Sequence, residues 1–214
     1  DFFSGDSGLN NLGKFEGNIT YSPTTSTLAT LTISLKNTSP GGLGGYLTAF
    51  VFNNPGNLIT GITLSTTDND FELITPFGAN NVSGSPFGQF DFGVSTGTSC
   101  EGGGSPSAGI AVGSTETFTF HLTGTNLNSL DVASFVNTLS VPPGNGEGNQ
   151  WFVARFRGFS NDGSDKVPGS DPDGLNPTEV RNTPEPGSLA LAGLGCLGAG
   201  VMAWRRQRAT KARV

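Results

Sequence analysis

Between Lys14 and Phe159 large apolar residues return at every second position, and that period constrains the fold more than any other feature of the chain. Successive side chains on an extended strand point to opposite faces, so a period of two gathers the apolar set on one face and the polar set on the other. Leu31, Ile33 and Leu35 alternate with Thr32 and Ser34, and Phe90, Phe92 and Val94 repeat the pattern. Phe118, Phe120 and Leu122 do so in TETFTFHLT, as do Phe152, Ala154 and Phe156. Leu58, Ile62 and Leu64 mark another strand, while Tyr46 to Phe52 (YLTAFVF) is apolar almost throughout, as befits a central strand covered on both faces.

Turn signals stand between these runs: Ser39-Pro40-Gly41-Gly42, Asn53-Asn54-Pro55-Gly56, Gly78-Ala79-Asn80-Asn81 and Pro142-Pro143-Gly144-Asn145. The 33 Gly and 16 Phe suit short strands joined by tight turns, and they leave too little Ala, Leu, Glu and Lys for a helical bundle. Short strands at this spacing predict a mainly β fold, an antiparallel β-sandwich over residues 14–159 behind an N-terminal extension over 1–13. No repeat at solenoid spacing is present. Val132, Phe135, Val136 and Leu139 depart from the period, falling at i, i+3, i+4 and i+7. They predict one short helix capped at Ser129, with Asp131 near its N-terminus, lidding one end of the sandwich. Residues 160–183 are acidic, rich in Pro and Gly and poor in large apolar side chains, and they read as a linker.

Charge is segregated along the chain. All 17 acidic residues lie at or before Glu185, with only six basic residues among them, a balance of 6 − 17 = −11; the other five basic residues crowd the last ten positions. An acidic body repels phosphates, which excludes a nucleic-acid partner.

Candidate chemistry is sparse. Nucleophilic catalysis needs a base beside the nucleophile, and the sole histidine, His121, falls on the strand face opposite Phe120 and Leu122, toward solvent. Cys100 stands in a Gly/Ser loop without a local motif, and Asp68, Asp70 and Glu72 sit on one short stretch rather than across a cleft, where Asp and Asn stabilise a turn. We therefore expect a protein that is not an enzyme and holds no cofactor. One metal site stays open as an alternative: Asp162, Asp165, Asp171 and Asp173 supply hard oxygens on a flexible stretch, the chemistry Ca²⁺ takes. A ligand patch is the other: Trp151, Arg155 and Arg157 share the face opposite Phe152 and Phe156, and an outward Trp with two Arg suits an extracellular polysaccharide. A second packed layer over that face, or ion pairs to nearby acids, is the plainer account of the same three residues.

The end of the chain has its own logic. Ser188 to Trp204 is seventeen residues without a charge, and a helix of that length spans about 25 Å, close to the hydrocarbon core of a bilayer. Arg205, Arg206 and Arg208 follow at once and by the positive-inside rule hold the C-terminus in the cytoplasm, which leaves the acidic body outside. Upstream, Thr183-Pro184-Glu185-Pro186-Gly187 is stiff and extended, the form a protease needs. The reading is an anchor over 184–208, crossing the membrane as a single helix at 188–204, then a basic cytoplasmic tail over 209–214. Cys100 and Cys196 then fall on opposite sides of a membrane boundary and form no disulfide. A chain opening at Asp1 fits a mature exported protein whose secretory signal is gone.

Pro184-Glu185-Pro186, the small-residue apolar segment and the Arg205-Arg206 cluster, in that order, resemble the three-part PEP-CTERM sorting signal of exported bacterial proteins. The resemblance implies a membrane-embedded cysteine transpeptidase, exosortase, that recognises Pro-Glu-Pro, removes the tail and passes the protein to the envelope or extracellular matrix. The mature form is then expected at the cell surface or outside the cell, in a structural or adhesive role. The body is loosely similar to cohesin-like and carbohydrate-binding β-sandwiches, a likeness that fixes no function.

Overall fold

A computed structural model of the protein describes residues 1–5, 11–141 and 149–170. The chain divides into two compact units, Asp1–Thr178 and Glu179–Val214, and every described residue belongs to the first. Its strands in chain order are β1 (Phe2–Ser4), β2 (Phe15–Pro23), β3 (Leu28–Asn37), β4 (Gly44–Phe52), β5 (Ile59–Thr66), β6 (Glu72–Leu73), β7 (Val82–Ser83), β8 (Gln89–Phe90), β9 (Phe92–Ser95), β10 (Ile110–Ala111), β11 (Thr115–Gly124), β12 (Phe152–Phe159) and β13 (Ser164–Ser170). The main sheet runs β5-β11-β3-β2-β1-β13-β12-β4-β9-β6, with β10 beside β4, and β7 and β8 form a separate ribbon. All pairs are antiparallel, as the period-two reading requires.

The sheet turns over on itself at β1 and β13, and phenylalanines fill the space between its two halves. Phe50 of β4 lies 4.8 Å from Phe118 of β11, edge to face, and 5.6 Å from Phe152 of β12. Phe52 meets Phe120 at 5.2 Å, and Phe71 meets Phe118 at 5.1 Å. Burying one such ring is worth roughly 1.5–3 kcal/mol, and edge-to-face geometry adds to it. β3 alternates as its sequence does, with Ala29, Leu31, Ile33 and Leu35 buried. β4 is buried at six consecutive residues, Leu47 to Phe52, because a second apolar layer covers its far side. That layer comprises Ala49, Val51, Ile74, Val82, Phe87, Phe90, Cys100 and Val153.

Both expected boundaries of the domain move outward. β1 lies in the segment read as an extension, and Phe2 is buried, 5.7 Å from Phe15 and 5.0 Å from Phe152. β13 lies in the segment read as a linker and occupies the middle of the sheet, between β1 and β12. Its polar residues are tolerated there because each finds a partner: the buried Asp165 carboxylate accepts the Leu12 and Gly13 N–H groups at 2.8 and 3.1 Å.

The expected helix is present as α1 (Val132–Val136), but Asp131 caps it instead of Ser129. The Ser134 N–H donates to the Asp131 carboxylate at 2.8 Å and the Asp131 N–H donates to Ser134 Oγ at 3.2 Å, a reciprocal box. Ser129 belongs to the preceding 3₁₀ turn, Leu127–Ser129. Phe135 packs 5.4 Å from Tyr21 of β2.

Candidate functional site

Two ion pairs of the described domain meet on the outer face of β12 and β13. Arg155 and Lys166 are register partners across these strands, and like charges placed directly opposite repel. Glu101, from the loop after β9, resolves the conflict. The Lys166 ammonium donates to Glu101 Oε2 and to the Ser85 carbonyl, and Arg155 Nη1 stands 3.8 Å from the same carboxylate oxygen. Glu101 Oε1 accepts the Ser83 hydroxyl at 2.8 Å and the Ser85 N–H at 3.1 Å. The Lys166 side chain is 7% exposed against 43% for Glu101, so the cation is the member that depends on the pair.

Beneath this network lies Cys100, fully buried in the second apolar layer. Burial pushes its thiol up to about 11, with Lys166 pulling weakly the other way. Such a thiol is almost entirely protonated at neutral pH and is a poor nucleophile. Arg155 donates to the Cys100 carbonyl at 3.2 Å, and burial lowers the pKa of its guanidinium. Arg157 donates to the carbonyls of Gly103 and Gly104, the latter at 3.3 Å. Together the two arginines hold the SCEGGG loop onto the sheet. This arrangement is a latch, with every charged group turned to another part of the same chain.

The expected ligand patch is therefore corrected. Trp151 is 1% exposed and packs 4.8 Å from Phe2 and 5.4 Å from Phe152. It precedes β12 rather than lying in it, so the strand's alternation does not carry its ring outward. Arg155 and Arg157 do lie on the face opposite Phe152 and Phe156, but there they bind the loop that covers them. Of the four aspartates considered for calcium, Asp162 is exposed in the turn between β12 and β13, and Asp165 is buried on backbone amides. Asp171 and Asp173 lie outside the described residues, and among the described residues no three His, Cys, Asp or Glu gather to hold a metal ion. His121 is exposed in β11. Asp68 accepts the Asp70 N–H at 2.9 Å, the turn its sequence suggests. Sequence reasoning missed Glu101 and Lys166; neither falls in a periodic run, and the one clue was an isolated Lys beside apolar Val167.

Pro184, Glu185, Pro186, the 188–204 segment and Arg205, Arg206 and Arg208 lie outside the described residues. Among the described residues no helix is long and apolar enough to cross a membrane. Here comparison with known proteins is informative: residues 182–207 match the PEP-CTERM protein-sorting motif. No curated protein matches the chain. An antiparallel β domain followed by a C-terminal sorting signal defines a class, the exported protein sorted through its tail. Within that class the chain carries the PEP-CTERM domain, which implies a C-terminal membrane anchor that is cleaved, with exosortase as the processing enzyme.

Proposed function

We propose that this is a non-enzymatic component of the bacterial cell envelope or extracellular matrix: a β-sandwich displayed outside the inner membrane, tethered by a helix at 188–204 and released by cleavage at Pro184-Glu185-Pro186. The sorting motif at 182–207 carries the reading. The engagement of the acids supports the absence of catalysis. Glu101 holds Lys166, Glu116 accepts the Thr66 and Thr67 hydroxyls at 2.8 Å each, and Asp91 accepts the Asn54 and Asn80 N–H groups at 2.7 and 2.8 Å. These carboxylates stabilise loops.

Matrix polysaccharide is the partner class such a displayed domain meets, by way of surfaces other than the buried Trp151. The reading is tested by replacing Pro184, Glu185 and Pro186 with alanine in the native cell and following the protein by fractionation. Retention of the variant in the membrane, with the natural protein released from it, is the expected result. Equal release of both would overturn the processing step.

A further inference from the structure

The half of the main sheet formed by β1, β2, β3, β11 and β5 turns to solvent an outer face that is polar and almost without charge. Thr20 of β2, Thr32 of β3, Thr119 of β11 and Ser65 of β5 stand in one register row across it. Ser22, Thr30, His121 and Thr63 make the row on one side, and Asn18, Ser34 and Thr117 the row on the other. Thr117 donates to Ser34 Oγ at 3.1 Å, while among the described residues the hydroxyls of Thr20, Thr30, Thr32, Thr63 and Thr119 have no partner in the protein. Formal charge enters only at one end, with Asp1 and with Glu16 and Lys36, register partners that offset each other. That end holds a shallow cavity of about 280 Å³ lined by Phe3, Asp1, Glu16, Asn18, Ser34 and Lys36. The other end holds one of about 440 Å³, where Leu28 and Phe77 stand among Thr30, Thr63, His121 and Thr123. Three large apolar side chains are exposed among the described residues, Phe3, Leu28 and Val141, and two of them belong to this face. From Leu28 to Lys36 the face runs about 27 Å, at about 3.4 Å per residue of β3.

We propose that this face binds a neutral polysaccharide, laid along β3 from the Leu28 cavity to the Phe3 cavity. The proposal rests on the envelope or matrix role and names the surface that serves it. Chemistry selects the occupant. A protein partner asks for an apolar centre to its patch, and here the apolar side chains stand apart at the two ends, with hydroxyls between them. A phosphate or uronate polymer is repelled by the acidic body, and the face offers it a single lysine that already stands opposite Glu16. A neutral sugar chain matches what is there. Its hydroxyls meet threonine and serine hydroxyls that both donate and accept, repeated across strands about 4.8 Å apart. The C–H faces of its rings pack against Phe3, Leu28 and Phe77, the pairing of apolar walls with a few placed polar groups that orients a ligand. At the Phe3 end the exposed hydrogen bond from Asn18 Nδ2 to Asp1 Oδ1, 2.8 Å, leaves both groups further capacity to donate and accept.

The test presents the full chain, in detergent, to cellulose, chitin and an insoluble β-1,3-glucan, three neutral polymers, and to alginate, a uronate polymer. Retention on at least one neutral polymer, with background retention on alginate, is the expected result. Thr20→Val, Thr32→Val and Thr119→Val together remove three hydroxyls while keeping side-chain shape and strand preference, and should cut that retention about tenfold. Phe3→Ala should weaken it by a similar factor and gives an independent reading at one end of the face. Ser107→Glu, at an exposed position of the 3₁₀ turn Pro106–Ala108 beside β4, should bind as the natural chain does. Retention on none of the neutral polymers, equal retention on alginate, full retention of the valine variant or of Phe3→Ala, or an equal loss in Ser107→Glu would each overturn the proposal. The alanine variant of Pro184-Glu185-Pro186 should bind the polymer as the natural chain does, because its defect is read in membrane release, so the sorting reading and the binding face fail separately.

Discussion

The ring of Phe2 lies against the bare Cα of Gly17, its register partner across β1 and β2, and a Cβ built on Gly17 would stand 2.4 Å from the ring carbons. The glycine is there for space, since any side chain would push Phe2 out from among Phe15, Trp151 and Phe152. Gly17→Ala should therefore destabilise the domain by about 1–3 kcal/mol, the usual cost of overpacking a full core. Chemical denaturation measures this directly. Natural stability in the variant would mean that β1 is dispensable.

Glu101→Gln removes the anion between Arg155 and Lys166 while keeping the shape of the side chain. Lys166 retains the Ser85 carbonyl but loses its counter-charge in a nearly buried position. We expect a loss of about 1–3 kcal/mol, discounted toward the lower value because Glu101 is itself partly exposed and screened. The Glu101→Gln, Lys166→Met double variant should recover part of that loss, because it leaves no uncompensated ammonium. A double variant worse than the sum of the two single ones would contradict the latch.

Cys100 sets a pH dependence of definite sign. Its thiol titrates near 9 when free and near 11 in the folded protein, because burial disfavours the thiolate. Between those values the native state keeps a proton that the unfolded state has lost, so this group's contribution makes stability fall as pH rises from 9 toward 11. Below 9 it contributes no slope. Comparing the pH profile of the natural protein with that of Cys100→Ala isolates the effect, and identical slopes across the window would refute it. The same burial predicts that Cys100 resists alkylation at pH 8 until denaturant is added.

What the sequence disclosed and what it hid have a common cause. Period-two patterning reports one apolar face at a time, so β3, β11 and the doubly covered β4 were legible. It is blind to a segment that becomes a strand through its neighbours. β13, written SDKVPGS, has the composition of a loop, and it is extended because β1 and β12 flank it and because Asp165 and Lys166 find partners on distant segments. Trp151 was misplaced for a related reason: strand parity was carried one residue beyond the strand's start. The second apolar layer, with Cys100 at its base, is assembled from residues 49 to 153 that no local window contains together. The sorting tail was readable because lipid imposes its requirement on one contiguous segment.

Mass spectrometry of the C-terminus of the protein recovered from its native cells tests the account most directly. Processing at the sorting motif predicts a chain ending between Pro184 and Gly187, without the uncharged segment and its arginines. An intact chain reaching Val214 as the principal mature species would contradict it.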